Sequence, residues 1–176
     1  AARLLGTTAF SSIMDYVFSV LPFFVLMGLF ASVSGAGRDL FKAANIVTRG
    51  TRGGLGIATV LANAVFAFVT GVSIAAAAAF SRIAYPEMKK NGYDRRFALG
   101  CIAGSACLGM LIPPSVLMIV WGVLTEQAIG KLFIAGIIPG FLVAFLYCLY
   151  IYWVAVTAPE IVGEGKEQIR VRAEVA

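Results

Sequence analysis

The apolar positions of this chain come in long runs divided by short polar connections, most of them basic. The run that organises the rest is Gly54 to Ala84, about 31 residues with no charge until Arg82. That exceeds the roughly 20 residues that span a bilayer. Arg38, Lys42, Arg49 and Arg52 precede it, against Asp39; Lys89, Lys90, Arg95 and Arg96 follow, against Glu87 and Asp94. One helix through the run would put two basic loops on opposite sides of a membrane, which the positive-inside rule disfavours. A re-entrant hairpin turning at Gly71 keeps both loops on the cytoplasmic side. Its second arm, Ser73 to Ala84, is then too short to span. The polar tip Thr70-Gly71-Val72-Ser73 is tolerated at membrane depth only if buried in protein or lining a watery cavity.

The other runs are placed around this one. Ser11 to Ser34 predicts a first span, kinked at Pro22. Asp15 near its start is either an interfacial helix-start residue or a carboxylate in a cation path. Residues 41–47 read as a short helix lying at the surface. Pro86 is expected to stop the second hairpin arm, and Asn91-Gly92 to form a turn. Phe97 to Leu124 is a spanning run interrupted by Leu111-Ile112-Pro113-Pro114-Ser115. Two prolines remove two backbone donors and push Ile112 and Pro113 out of helical geometry, giving either a broken helix with a second half opening at Pro114-Ser115 or a simple kink. Gly100, Gly104, Ser105, Ala106 and Gly109 before the break allow close helix approach. Leu132 to Thr157 is a last span, with Pro139-Gly140 separating a short arm and with Tyr147, Tyr150, Tyr152 and Trp153 as an aromatic belt. This organisation divides the chain into a membrane part over residues 1–158 and a polar tail over 159–176. The fold class is an all-α polytopic membrane protein.

Composition narrows the class further. The chain is 60% hydrophobic and 13% charged, with net charge +5, unlike a soluble domain. The basic residues sit in loops and report topology and anionic headgroups rather than nucleic acid. There is no His, so Ser73 and Ser115 lack a base and no hydrolytic constellation exists. Cys101, Cys107 and Cys148 lie in apolar segments and read as small buried hydrophobes, without zinc-type spacing. No phosphate-cradling GxxxxGK[ST] occurs. The start, Ala1-Ala2-Arg3, shows no signal-peptide order and reads as internal.

The chemistry then rests on backbone. Half-helix N-termini at Thr70–Ser73 and Ile112–Ser115 would favour a carboxylate. Unwound carbonyls and half-helix C-termini would favour sodium. The sodium candidates are Gly71, Val72, Ser73, Ile112, Pro114 and Ser115. The substrate candidates are Thr70, Ser73, Ser115 and Asn63. Asn63, the strongly polar side chain of the first arm, either bonds a neighbouring helix or faces the site.

At these residues the sequence resembles the large membrane subunit of tripartite ATP-independent periplasmic (TRAP) transporters, the DctM type. The matching stretches are LPFFVLMGLFAS (21–32), RGGLGIATVLANAVFAFVTGVS (52–73), YPEMKKNGYDRRFALG (85–100) and LGMLIPPSVLMIVWGVLTEQAIGKLFIAGIIPG (108–140). The resemblance implies a secondary transporter of the bacterial or archaeal cytoplasmic membrane, not an enzyme. It would import small organic acids such as dicarboxylates or sialic acid on a sodium gradient, with sodium as coupling ion and no cofactor. Implied partners are a DctP-type periplasmic binding protein and a small four-helix DctQ-type subunit. The implied fold is an elevator of two inverted repeats, of which this chain matches the first. The family tip is usually Gly-Ser-Ser, whereas Val72 stands here in place of a serine. A related carrier without a binding protein, or a non-transporting truncated remnant, are the alternative readings.

Overall fold

The computed structural model describes residues 20–163, so Asp15, the start of the first span and residues 164–176 lie outside the described residues. The described residues form helices α1 (Val20–Val33), α2 (Ala36–Thr48), α3 (Gly54–Thr70), α4 (Ser73–Lys90), α5 (Arg95–Ala106), α6 (Leu108–Leu111), α7 (Val116–Leu124) and α8 (Ile129–Thr157). There is no strand among them. A lone antiparallel bridge joins Tyr93 to Val162.

Helices α3 and α4 form a hairpin. They part at Gly71, and their far ends come together again, Thr51 and Gly54 sharing one cavity with Glu87 and Asn91. Small side chains let the two arms close: Ala58 and Ala62 on α3, and Ala76 and Ala84 on α4, are all buried. Phe66 and Phe80 fill the remaining space edge-to-face, with ring centroids 5.6 Å apart.

Helix α2 is longer than the predicted 41–47 and is more than a surface helix. Its inner face, Gly37, Phe41 and Thr48, is buried, and Phe41 joins the Phe66–Phe80 cluster. Burying such a ring is worth about 1.5–3 kcal/mol. Thr48 Oγ1 lies 3.0 Å from the Ala44 carbonyl and 2.9 Å from that of Gly54, and Thr51 Oγ1 donates to the Thr48 carbonyl at 2.7 Å. These bonds fix the short passage from α2 into α3.

Pro86 does not end α4, which continues to Lys90. An interior proline loses a hydrogen bond and strains the preceding turn. Here the next turn carries Met88, which is fully buried against Val60 and Ala98. That burial holds the helix together beyond the proline, whose own ring is exposed. The helix ends at Asn91, whose amide donates to the Glu87 carbonyl at 3.1 Å. Asp94 then caps α5, accepting from the Arg96 and Phe97 amides at 2.8 and 3.2 Å.

Pro139 likewise lies inside one continuous helix, α8, and separates no arm. On either side of it Gly136 and Gly140 receive Leu111, Met118 and Ile112, so packing across the proline keeps the axis intact. The residues after Ala158 are not a free tail as far as Gly163. Val162 is buried, and the Asp94 amide donates to the Ile161 carbonyl at 2.8 Å, tying the end of α8 to the α4–α5 connection.

Among the described residues, α8 is the one unbroken helix that by length and composition can cross a membrane. Helices α5–α7 qualify together as a span bent by 41°. The outer face of α8 carries Ile134, Ile138, Phe141 and Phe145, each more than 60% exposed, as expected of a lipid-facing surface.

Candidate functional site

The tip is a two-residue reversal. Gly71 ends α3 with φ 62° and ψ 8°, and its amide closes the last turn on the Ala67 carbonyl at 2.8 Å. An L-side chain at this angle costs about 1–2 kcal/mol, which is why glycine belongs here. Val72 is extended, at φ −131° and ψ 114°, and Ser73 opens α4.

The facing break has the same logic. Ile112, at φ −80° and ψ 119°, ends α6, and Ser115, at φ −125° and ψ 128°, precedes α7. The second half-helix therefore begins at Val116 rather than at Pro114-Ser115.

The two interruptions touch. The Val116 amide, first in α7, donates to the Gly71 carbonyl at 3.3 Å. On the other side, a Cβ at Gly109 would stand 3.3 Å from the Ser73 amide nitrogen. Gly109 therefore lets the tip lie directly on α6. The N-termini of α4 and α7 meet at this point, and so do the C-termini of α3 and α6.

Within this cluster the polar groups divide sharply. The carbonyls of Ile112, Pro113 and Pro114 accept no hydrogen bond among the described residues. The first-turn amides of Ser73, Ile74 and Ala75 donate none. The Ser73 hydroxyl is half-buried and also unpartnered among the described residues. Thr70 and Ser115, by contrast, are fully buried, and their hydroxyls are engaged with their own backbone. Thr70 Oγ1 donates to the Phe66 carbonyl at 3.0 Å, and Ser115 Oγ to the Met110 carbonyl at 2.8 Å. Ser115 thus caps the first half of the broken helix.

Asn63 lies apart, two turns from Thr70 along α3. It is fully buried, and its Nδ2 donates to Ser105 Oγ at 2.6 Å and lies 3.4 Å from the Ile102 carbonyl. Ser105 passes the bond on to the Cys101 carbonyl at 2.6 Å. Asn63 Oδ1 is the buried side-chain polar atom without a partner among the described residues. Sequence reasoning placed Ser105 and Gly109 among the small residues but gave neither a partner. Those partners, Asn63 and Ser73, lie more than thirty residues away.

The family described as "Tripartite ATP-independent periplasmic transporter, DctM component" matches residues 1–176. This chain belongs to the DctM family. The C4-dicarboxylate TRAP transporter large permease protein DctM of Pseudomonas aeruginosa is 41% identical over 155 residues, which are 88% of this chain and 36% of that protein. The isethionate TRAP transporter permease protein DctMQ of Oleidesulfovibrio alaskensis is 34% identical, covering 82% of this chain and 23% of that protein. The sialic acid TRAP transporter permease protein SiaT of Haemophilus influenzae is 31% identical, with the same two shares. The chain thus spans about a third or less of the length of these relatives. They are transporter permeases, not enzymes, and this chain is a membrane protein of the same family.

Proposed function

We propose that this DctM-family chain forms the cation-binding half of a sodium-coupled carrier for small organic acids in the cytoplasmic membrane. The hairpin α3–α4 is re-entrant, with both basic ends on the cytoplasmic side and Gly71–Ser73 at membrane depth. The observation that carries the reading is the contact between the two interruptions, where Val116 N–H meets the Gly71 carbonyl. Beside it stand three carbonyls and one hydroxyl that are unpaired among the described residues, and two helix N-termini. Carbonyls left without donors in a low-dielectric interior attract a small cation, and a helix N-terminus attracts a carboxylate. Ile112 and Pro113 are buried residues, and a carbonyl kept from water favours such a partner.

The ligand set differs from the sequence expectation in weight. Ser73 contributes a hydroxyl, and Ile112, Pro113 and Pro114 contribute carbonyls. Gly71 and Ser115 hold the two elements in register. Val72 contributes no hydroxyl, so sodium relies on backbone oxygen. Asn63 joins α3 to α5 and moves with the site rather than lining it. The substrate is an organic anion of the class that the names of the relatives give, a C4-dicarboxylate, isethionate or sialic acid. It would be delivered by a periplasmic binding protein, with a small membrane subunit beside the large one.

The test is uptake of a labelled organic acid by the permease with its binding protein, reconstituted in vesicles. An inward sodium gradient should drive accumulation, and choline in its place should abolish it. Uptake that is unchanged in choline would remove sodium from the mechanism.

A further inference from the structure

The basic end of the hairpin carries a second candidate site, far from the tip. A cavity of about 650 Å³ opens where the end of α2, the 49–54 connection and the end of α4 meet. That is within the range of about 300–1,000 Å³ typical of small-molecule sites. Its walls include Asn45, Ile46, Arg49, Thr51, Glu87 and Asn91. Arg49 makes no ion pair among the described residues. Glu87, the carboxylate in the wall, is paired with Lys90 at 3.1 Å. Arg52 follows the lining residue Thr51 in the chain, and with Glu87 paired to Lys90 the basic residues at the wall outnumber the acidic ones.

One side of the rim is apolar. Ile46 lines the cavity yet is 71% exposed, and Val47 beside it is 78% exposed. They project from the outer side of α2, whose inner side already holds Phe41 against the hairpin. Water is a poor neighbour for such a pair, and a soluble anion gains nothing from it. A phospholipid satisfies both parts, with its phosphate against Arg49 and its acyl chain along Ile46 and Val47.

We propose that this cavity binds the headgroup of an anionic phospholipid. The site rests on the chain being in a membrane and not on sodium coupling, so its test reads binding and leaves transport aside. The permease is extracted whole from membranes into mild detergent and stripped of lipid. It is then titrated with phosphatidylglycerol, phosphatidylcholine or inorganic phosphate while its thermal midpoint and lipid adducts by native mass spectrometry are followed. Phosphatidylglycerol should raise the midpoint and remain bound, and the other two should not. Arg49→Gln should weaken it about fivefold, the equivalent of about 1 kcal/mol for one basic residue at an anionic surface. Ile46→Asn should weaken it as well. Arg95→Gln, which removes a charge from the start of α5 outside the cavity, should leave it within about twofold. Four outcomes would overturn the assignment: equal binding of phosphatidylcholine, equal competition by inorganic phosphate, no effect of Arg49→Gln, or an equal loss in Arg95→Gln. The last would reduce the effect to general surface charge.

Discussion

Asn63 offers the sharpest test of how the hairpin is held. Replace it with leucine, which keeps the branched skeleton and removes both polar atoms. The lost terms are one short hydrogen bond to Ser105 at 2.6 Å and a long approach to the Ile102 carbonyl at 3.4 Å that adds little. An interhelical bond of this kind in membrane proteins averages about 0.6 kcal/mol. The gained term is removal of Oδ1, which is buried without a partner and costs about 1–3 kcal/mol. Ser105 is not orphaned, because its hydroxyl still donates to the Cys101 carbonyl. The bulkier methyl groups offset part of the gain. Asn63→Leu should therefore unfold within about 1 kcal/mol of the parent. Asn63→Ala, which adds a void, should lose about 2 kcal/mol. Reversible unfolding in mixed micelles, followed by tryptophan fluorescence, measures both. A loss above about 2 kcal/mol in Asn63→Leu would refute the reasoning, because the amide would then be net stabilising with both atoms satisfied. Sodium and substrate affinities of the same variant should stay within about threefold. A larger fall at intact stability would place Asn63 in the substrate path.

Four further substitutions probe the tip. Ser73→Ala should raise the sodium concentration for half-maximal uptake by about tenfold, the equivalent of one lost ligand. Ser115→Ala should raise it less and should instead lower thermal stability, since Ser115 caps the carbonyl of Met110; the reverse order in sodium titrations would exchange their roles. Gly71→Ala should destabilise by about 1–2 kcal/mol through its left-handed backbone angle and weaken sodium and substrate together; an unchanged melting temperature would mean that the tip relaxes freely. Gly109→Val should displace Ser73, whose amide nitrogen lies 3.3 Å from the position of the new Cβ, and so abolish uptake while leaving the total helix content by circular dichroism unchanged. Parental uptake in Gly109→Val would show that the tip does not lie on α6 in the working state.

Much of this arrangement is legible in the order of residues alone. The length of the 54–84 run, the charges on both its flanks and the Pro113-Pro114 pair are local quantities. Hydropathy and backbone steric limits act residue by residue, so they locate the hairpin turn at Gly71 and the break at Ile112–Ser115. The quoted stretches were enough to point to the family, which the match over the whole chain establishes. What only the tertiary structure decided is which groups meet and which are left over. Pro86 and Pro139 look like helix ends until the packing beyond them is weighed: Met88 in the core, and Gly140 against Ile112. The four polar side chains singled out as substrate candidates look equivalent as letters. In three dimensions Thr70 and Ser115 bond their own backbone, Asn63 bonds Ser105, and Ser73 remains free among the described residues. That division depends on contacts between segments tens of residues apart, and no local preference encodes them. The same is true of the bond from Val116 to Gly71, which turns two separate interruptions into one place.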